Sequence, residues 1–179
     1  MDLKKKALFN EHGDIELSKR RLINGNTTNL NDFNNIKYPW VSNWYRTAMN
    51  NFWIPEEINL SQDVKDYRIL SKVEKTAYDK ILSFLIFLDS IQTANLPNVG
   101  EYITANEVNL CLTIQAFQEA VHSQSYSYML DTICSPEERT SILYQWRDDE
   151  HLLRRNKFIG DIYNDFQLHK TPDQLARTM

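Results

Sequence analysis

The chain has 179 residues, 42% of them hydrophobic and 12% aromatic, enough apolar material to bury a core and too much for a disordered segment. A formal charge of −4, with basic and acidic residues interspersed, leaves no basic footprint for nucleic acid, and the run of Lys4, Lys5 and Lys6 is too short to make one. Two cysteines, Cys111 and Cys134, make no disulfide framework and read as small hydrophobes. The longest apolar stretch, residues 81–88, falls far short of a membrane span, and the N-terminus shows no apolar leader, so a reducing cytoplasm is the expected location.

Only 4 Gly and 5 Pro punctuate the sequence, which suits long helices better than short strands and tight turns, so the expected fold is all-α. Residues 1–38 are rich in Asn, as in "NGNTTNLNDFNN", whose side chains compete with the backbone for hydrogen bonds and favour turns or extended chain. They form an extended segment, and residues 39–179 form the helical domain. A short helix follows Pro39 and ends near Phe52. "SKVE" at 71–74 has the form of a capping box and opens a helix expected to run to about Asn95, before Pro97. "TANE" at 104–107 repeats the device and opens a helix to about Thr132. "SPEE" at 135–138 caps the next, with Ser135 as N-cap and Pro136 in the first helical position. Residues 136–166 read as one or two further helices, and "LHKTPDQLARTM" as an exposed polar connection.

The chemistry lies on two of these helices. At about 100° per residue, Glu119, His122 and Tyr126 share one face with Val108, Leu112, Ala116 and Met129. That stripe faces the core, and an unpaired carboxylate buried there costs several kcal/mol, so Glu119 and His122 need a compensating partner such as a cation. The preceding helix repeats the oddity: Leu82, Leu85 and Ile86 form a stripe with Asp89 on the same side. Helix-borne carboxylates with Glu-x-x-His pointing into a bundle are how ferritin-like di-metal sites are built. Each signal alone is weak. Glu-x-x-His occurs often by chance, Asp89 alone would serve as an ion-pair partner, and Tyr126 and Trp53 alone read as core aromatics.

Together with the segments "NGNTTNLNDF", "NNFWIPEEINLSQD", "FLDSIQTANLPNV", "QEAVHSQSYSYML" and "QWRDDEHLLRRNKFIGDIY", these residues make the chain resemble the small, radical-generating subunit of class I ribonucleotide reductase, over residues 25–166. The resemblance implies a ferritin-like di-metal carboxylate bundle and an enzyme component. Asp89, Glu119 and His122 would match metal ligands, Tyr126 the tyrosine oxidised to a stable radical, and Trp53 the tryptophan that relays the radical to the large subunit, where ribonucleotides are reduced. Carboxylate and imidazole ligands accept iron or manganese. The family's assemblies are dimeric, and the nucleotide binds on the large subunit.

A site of this type takes four carboxylates and two histidines, and the chain offers three of the six. Neither His12 nor His169 follows a carboxylate at the required spacing. Asp148 and His151 do stand three apart, but Arg147, Arg154 and Arg155 around them mark a solvated, charge-paired helix. The expectation is therefore the N-terminal half of a small subunit, inactive alone, and either split from a second polypeptide that carries the C-terminal half, which is the favoured reading, or a truncated product. The alternative is a non-catalytic helical protein that binds the reductase subunits as a regulator. Retention of all five site residues argues against it.

Overall fold

A computed structural model describes residues 2–179. Among them the regular structure is helical, apart from one isolated antiparallel bridge between Ile23 and Ile103. The α-helices are α1 (Trp40–Asn50), α2 (Asp63–Ile69), α3 (Lys72–Gly100), α4 (Asn106–Ile133), α5 (Pro136–Tyr144), α6 (Glu150–Leu168) and α7 (Pro172–Thr178), with 3₁₀ turns at Leu17–Lys19, Pro55–Glu57 and Gln145–Arg147. The chain divides into two compact units: one runs from the N-terminus to Phe52 and adds Ala94–Phe117 and Ile162–Met179, and the other comprises Trp53–Thr93 and Gln118–Asp161.

In the first unit Leu96 and Val99 near the end of α3 pack with Val108, Cys111 and Leu112 from the start of α4, and with Phe166 and Leu175 from α6 and α7. Tyr102 meets Phe166 edge-on at 5.4 Å, an arrangement that ring quadrupoles favour. The N-terminal segment is irregular, and its asparagines replace secondary structure: Asn10 donates to the side chain of Asn26 and the carbonyl of Thr27, and Asn26 to the carbonyl of His12. Asn24 and Asn29 adopt positive φ, 54° and 61°, which asparagine tolerates better than most side chains.

Three expectations fail in this unit for identifiable reasons. The helix expected to stop near Asn95 continues through Pro97 to Gly100. Proline forfeits one helical hydrogen bond and clashes with the preceding turn, at about 3 kcal/mol, but stopping there would withdraw Leu96 and Val99 from the core. The second "capping box" does not form: α4 begins at Asn106, Thr104 accepts from the Gly25 N–H and donates to the Arg21 carbonyl, and Glu107 is taken by Arg20 and the Lys37 N–H. The terminal segment, read as an exposed connection, contains α7, capped by Thr171 accepting from the Gln174 N–H, with Leu175 and Thr178 buried.

In the second unit Leu82 of α3 packs with Leu130 of α4 and Ile142 of α5. Leu130 is completely buried, which contributes about 1.5–3 kcal/mol. The expected capping box at Ser71 and Glu74 forms in full, as does that of Ser135 and Glu138 with Pro136 in the first turn. Ser83, fully buried, accepts from the Trp146 N–H. Trp146 packs on Phe87 at 4.5 Å, and Arg155 lies over Phe84. Asp149 caps α6 by accepting from the N–H groups of His151 and Leu152, and pairs with Lys80 at 2.6 Å.

Leu130→Ala is expected to lower unfolding free energy by about 2–5 kcal/mol in denaturant titrations, whereas Leu168→Ala, at a position 74% exposed, should cost less than about 0.5 kcal/mol. The Lys80 ammonium, aided by the Leu152 and His151 N–H groups, holds the Asp149 carboxyl down at about 2. A depressed folded pKa stabilises above the ordinary carboxylate range and loses that contribution as pH falls through the folded value. Acid unfolding should therefore show Asp149→Asn less stable than the parent above about pH 4, with the difference vanishing as pH falls toward the folded pKa.

Candidate metal centre

The second unit brings the sequence-predicted residues together. The stretch of α3 that buries Leu82 also carries Asp89, and the stretch of α4 that buries Leu130 carries Glu119, His122 and Tyr126. Offsets of three and seven place the α4 residues on one helix face. One ligand atom each from Asp89, Glu119 and His122 lies within 4.8 Å of the others. His122 Nδ1 stands 3.2 Å from Glu119 Oε2 and 3.7 Å from Asp89 Oδ2. The carboxylate side chains are 18% and 16% exposed and the imidazole 43%, so the cluster is half-buried rather than enclosed.

The electrostatics follow from that placement. Burial pushes the Asp89 carboxyl above the ordinary range, and the Glu119 charge adds to the shift, while His122 and a hydrogen bond from Tyr126 oppose it. Burial likewise raises the Tyr126 phenol to about 12, helped by the Asp89 charge. Two carboxylates and one imidazole thus share a space with less positive charge than they need, and a divalent cation would supply it. One nitrogen and two oxygens suit a transition metal such as iron or manganese.

Trp53 packs its ring 6.2 Å from that of His122, tilted by 31°. Together with Pro55, Leu60, Tyr126 and Met129 it lines an apolar cavity of about 210 Å³ beside the cluster. This contact has no signature in the sequence, because Trp53 lies in the irregular chain before the 3₁₀ turn Pro55–Glu57, where no helical period applies. Tyr128, two residues beyond Tyr126, directs its hydroxyl to the Ile58 carbonyl at 3.5 Å. Asp148 and His151 are both exposed, and among the described residues the one converging set of three potential ligands is Asp89, Glu119 and His122.

Comparison with known proteins identifies the family of the chain. The sequence profile of the family described as ribonucleotide reductase, small chain, matches residues 30–179. Over 169 residues the chain is 82% identical to the ribonucleoside-diphosphate reductase subunit beta of Treponema pallidum (strain Nichols), covering 94% of this chain and 48% of the relative. The corresponding subunit of Aquifex aeolicus (strain VF5) is 47% identical over 167 residues, covering 92% of this chain and 24% of its own. The ribonucleotide reductase R2 subunit from Clostridium botulinum superposes with a TM-score of 0.94 at 53% identity, over 99% of this chain and 56% of that one. The expected fold class, a ferritin-like helical bundle present in part, stands. The chain spans about half the length of the Treponema relative, and it belongs to the ribonucleotide reductase small-chain family.

Proposed function

We propose that this chain supplies one side of the radical-generating centre of a ribonucleotide reductase small subunit. Asp89, Glu119 and His122 ligate transition metal, Tyr126 is the residue oxidised, and Trp53 is the first outward relay. The observation that carries this reading is the convergence of three ligand atoms within 4.8 Å, with Tyr126 hydrogen-bonded to one ligand and Trp53 packed on another.

Iron or manganese bound at this cluster supplies one-electron oxidation of a phenol. The chain's own residues do the rest. The Tyr126 hydroxyl donates to Asp89, so the proton released on oxidation has an acceptor one hydrogen bond away. The apolar lining formed by Pro55, Leu60 and Met129 keeps bulk water from the phenol. Trp53, packed on His122, connects the ligand to the half-exposed side of the unit. Three ligands are half of what a ferritin-like di-metal site takes, so the other carboxylates and the second histidine come from residues outside this chain. We assign them to a second polypeptide carrying the complementary ligand helices. The completed, dimeric small subunit then works in the cytoplasm with the large subunit, which reduces ribonucleoside diphosphates to deoxyribonucleotides.

Titration of the isolated chain with Mn(II), read by loss of the free-ion paramagnetic signal, should show weak binding that Glu119→Ala and His122→Ala abolish and Asp148→Ala leaves intact. Binding that survives Glu119→Ala would place the metal elsewhere. In the completed assembly, Tyr126→Phe should remove the tyrosyl radical signal while metal content stays near that of the parent, and a retained signal would shift the role to Tyr128. Reductase activity that appears only when the complementing polypeptide and the large subunit are added tests the whole reading. A chain whose melting temperature and metal binding ignore that polypeptide would favour the regulator.

A further inference from the structure

On the other side of Tyr126 from Asp89 in sequence, α4 leads to a second group of oxidisable side chains that the proposed centre does not use. Met129, one helical turn beyond Tyr126, accepts a hydrogen bond from the Tyr78 hydroxyl at 3.1 Å through its sulfur. The ring of Tyr78 lies 5.7 Å from that of Tyr67. Tyr67 is buried, 5% exposed, and its hydroxyl donates to Asp79 at 2.8 Å. The same oxygen is hydrogen-bonded to the thiol of Cys134. The phenol has a single hydrogen, so once that hydrogen has passed to Asp79 the bare oxygen can accept from the thiol. Cys134 is a free cysteine and is partly exposed.

Packing alone does not ask for this arrangement. Phenylalanine at positions 67 and 78 would fill the same space with no buried hydroxyl to satisfy. The tyrosines instead place beside one phenol oxygen both a proton acceptor, Asp79, and the Cys134 thiol. Burial raises the Asp79 carboxyl, which makes it a better base than an exposed aspartate. The Lys75 ammonium sits 4.5 Å from the centre of the Tyr67 ring, and a cation there opposes a charged ring, so an electron can leave Tyr67 only together with its proton.

We propose that Met129, Tyr78, Tyr67 and Cys134 form a second redox route, which drains a misplaced oxidising equivalent from the Tyr126 side of the unit to a thiol that soluble reductants reach. The entry point rests on the assignment of Tyr126 above. The Tyr126 phenoxyl takes one electron from Tyr67 across Tyr78 and Met129, and takes a proton through Asp89, to become a phenol. Tyr67 passes its own proton to Asp79 as it loses the electron, leaving a neutral phenoxyl. The S–H bond of Cys134 then breaks and its hydrogen atom forms the O–H bond of Tyr67, leaving a thiyl. A soluble thiol or enediol reductant gives a hydrogen atom to that sulfur and is itself oxidised by one electron. The Asp79 proton returns to solvent, matching the one taken up through Asp89.

The test is one-electron oxidation of the chain by azide radicals with a nitrone spin trap present, the adducts being located by peptide mass spectrometry. The parent should give a thiyl adduct at Cys134, and Tyr78→Phe, which leaves both Tyr67 and Cys134 intact, should lower its yield severalfold. Tyr67→Phe should do the same, and Cys134→Ser should prolong the phenoxyl absorbance. Circular dichroism melts check that each variant is folded. Should Tyr67→Phe fail to fold, Tyr78→Phe and Met129→Leu carry the test. Equal adduct yield in the parent and Tyr78→Phe would mean direct attack on the thiol and would overturn the route. An adduct lost in Tyr78→Phe but retained in Tyr126→Phe would uphold the route and overturn Tyr126 as its entry point instead.

Discussion

Packing of Leu82 against Leu130 and Ile142 is the contact on which the rest of the second unit depends. It fixes one stretch of α3 against one stretch of α4, so that Asp89 and the pair Glu119 and His122 face each other across a single gap. The same apolar faces that hold the helices together also carry the carboxylates, and this is the source of the electrostatic tension in the cluster. Burial favours the leucines and penalises the charges. The raised Asp89 carboxyl and Tyr126 phenol register that penalty, and a bound cation would relieve it.

Much of this was legible in the sequence because it is local. Ser71 with Glu74 and Ser135 with Glu138 cap helices as their spacing requires, since both partners lie within one turn. Glu119, His122 and Tyr126 share a face for the same reason. What was not legible depends on distant partners. Thr104 and Glu107 match the capping pattern, yet Gly25, Arg21, Arg20 and Lys37 claim their polar atoms first. Pro97 is a local stop signal overridden by the core that holds Leu96 and Val99. The α7 segment looked like a connection because its polar residues outnumber the apolar one that anchors it, Leu175.

The site divides along the same line. Helical periodicity groups the three candidate ligands into two sets, but it does not say that Trp53, from irregular chain, packs on His122. Nor does it bring Tyr67 of α2, Tyr78 of α3 and Cys134 into one chain of contacts. Each of these residues reads alone as a core aromatic or a small hydrophobe. Only the hydrogen-bond partners of the Tyr67 oxygen distinguish chemistry from packing.

Asp89 on α3 and Glu119 with His122 on α4 sit on two consecutive helices, so the contacts that assemble the cluster close one helical hairpin, although they join residues far apart in sequence. Closing a hairpin of two consecutive helices costs less loop entropy than bringing in an element from farther along the chain. The acidic cleft is thus a product of that one hairpin's folding. A cation that occupied this cleft would bind only the folded hairpin, so its binding and the pairing of α3 with α4 would be thermodynamically linked.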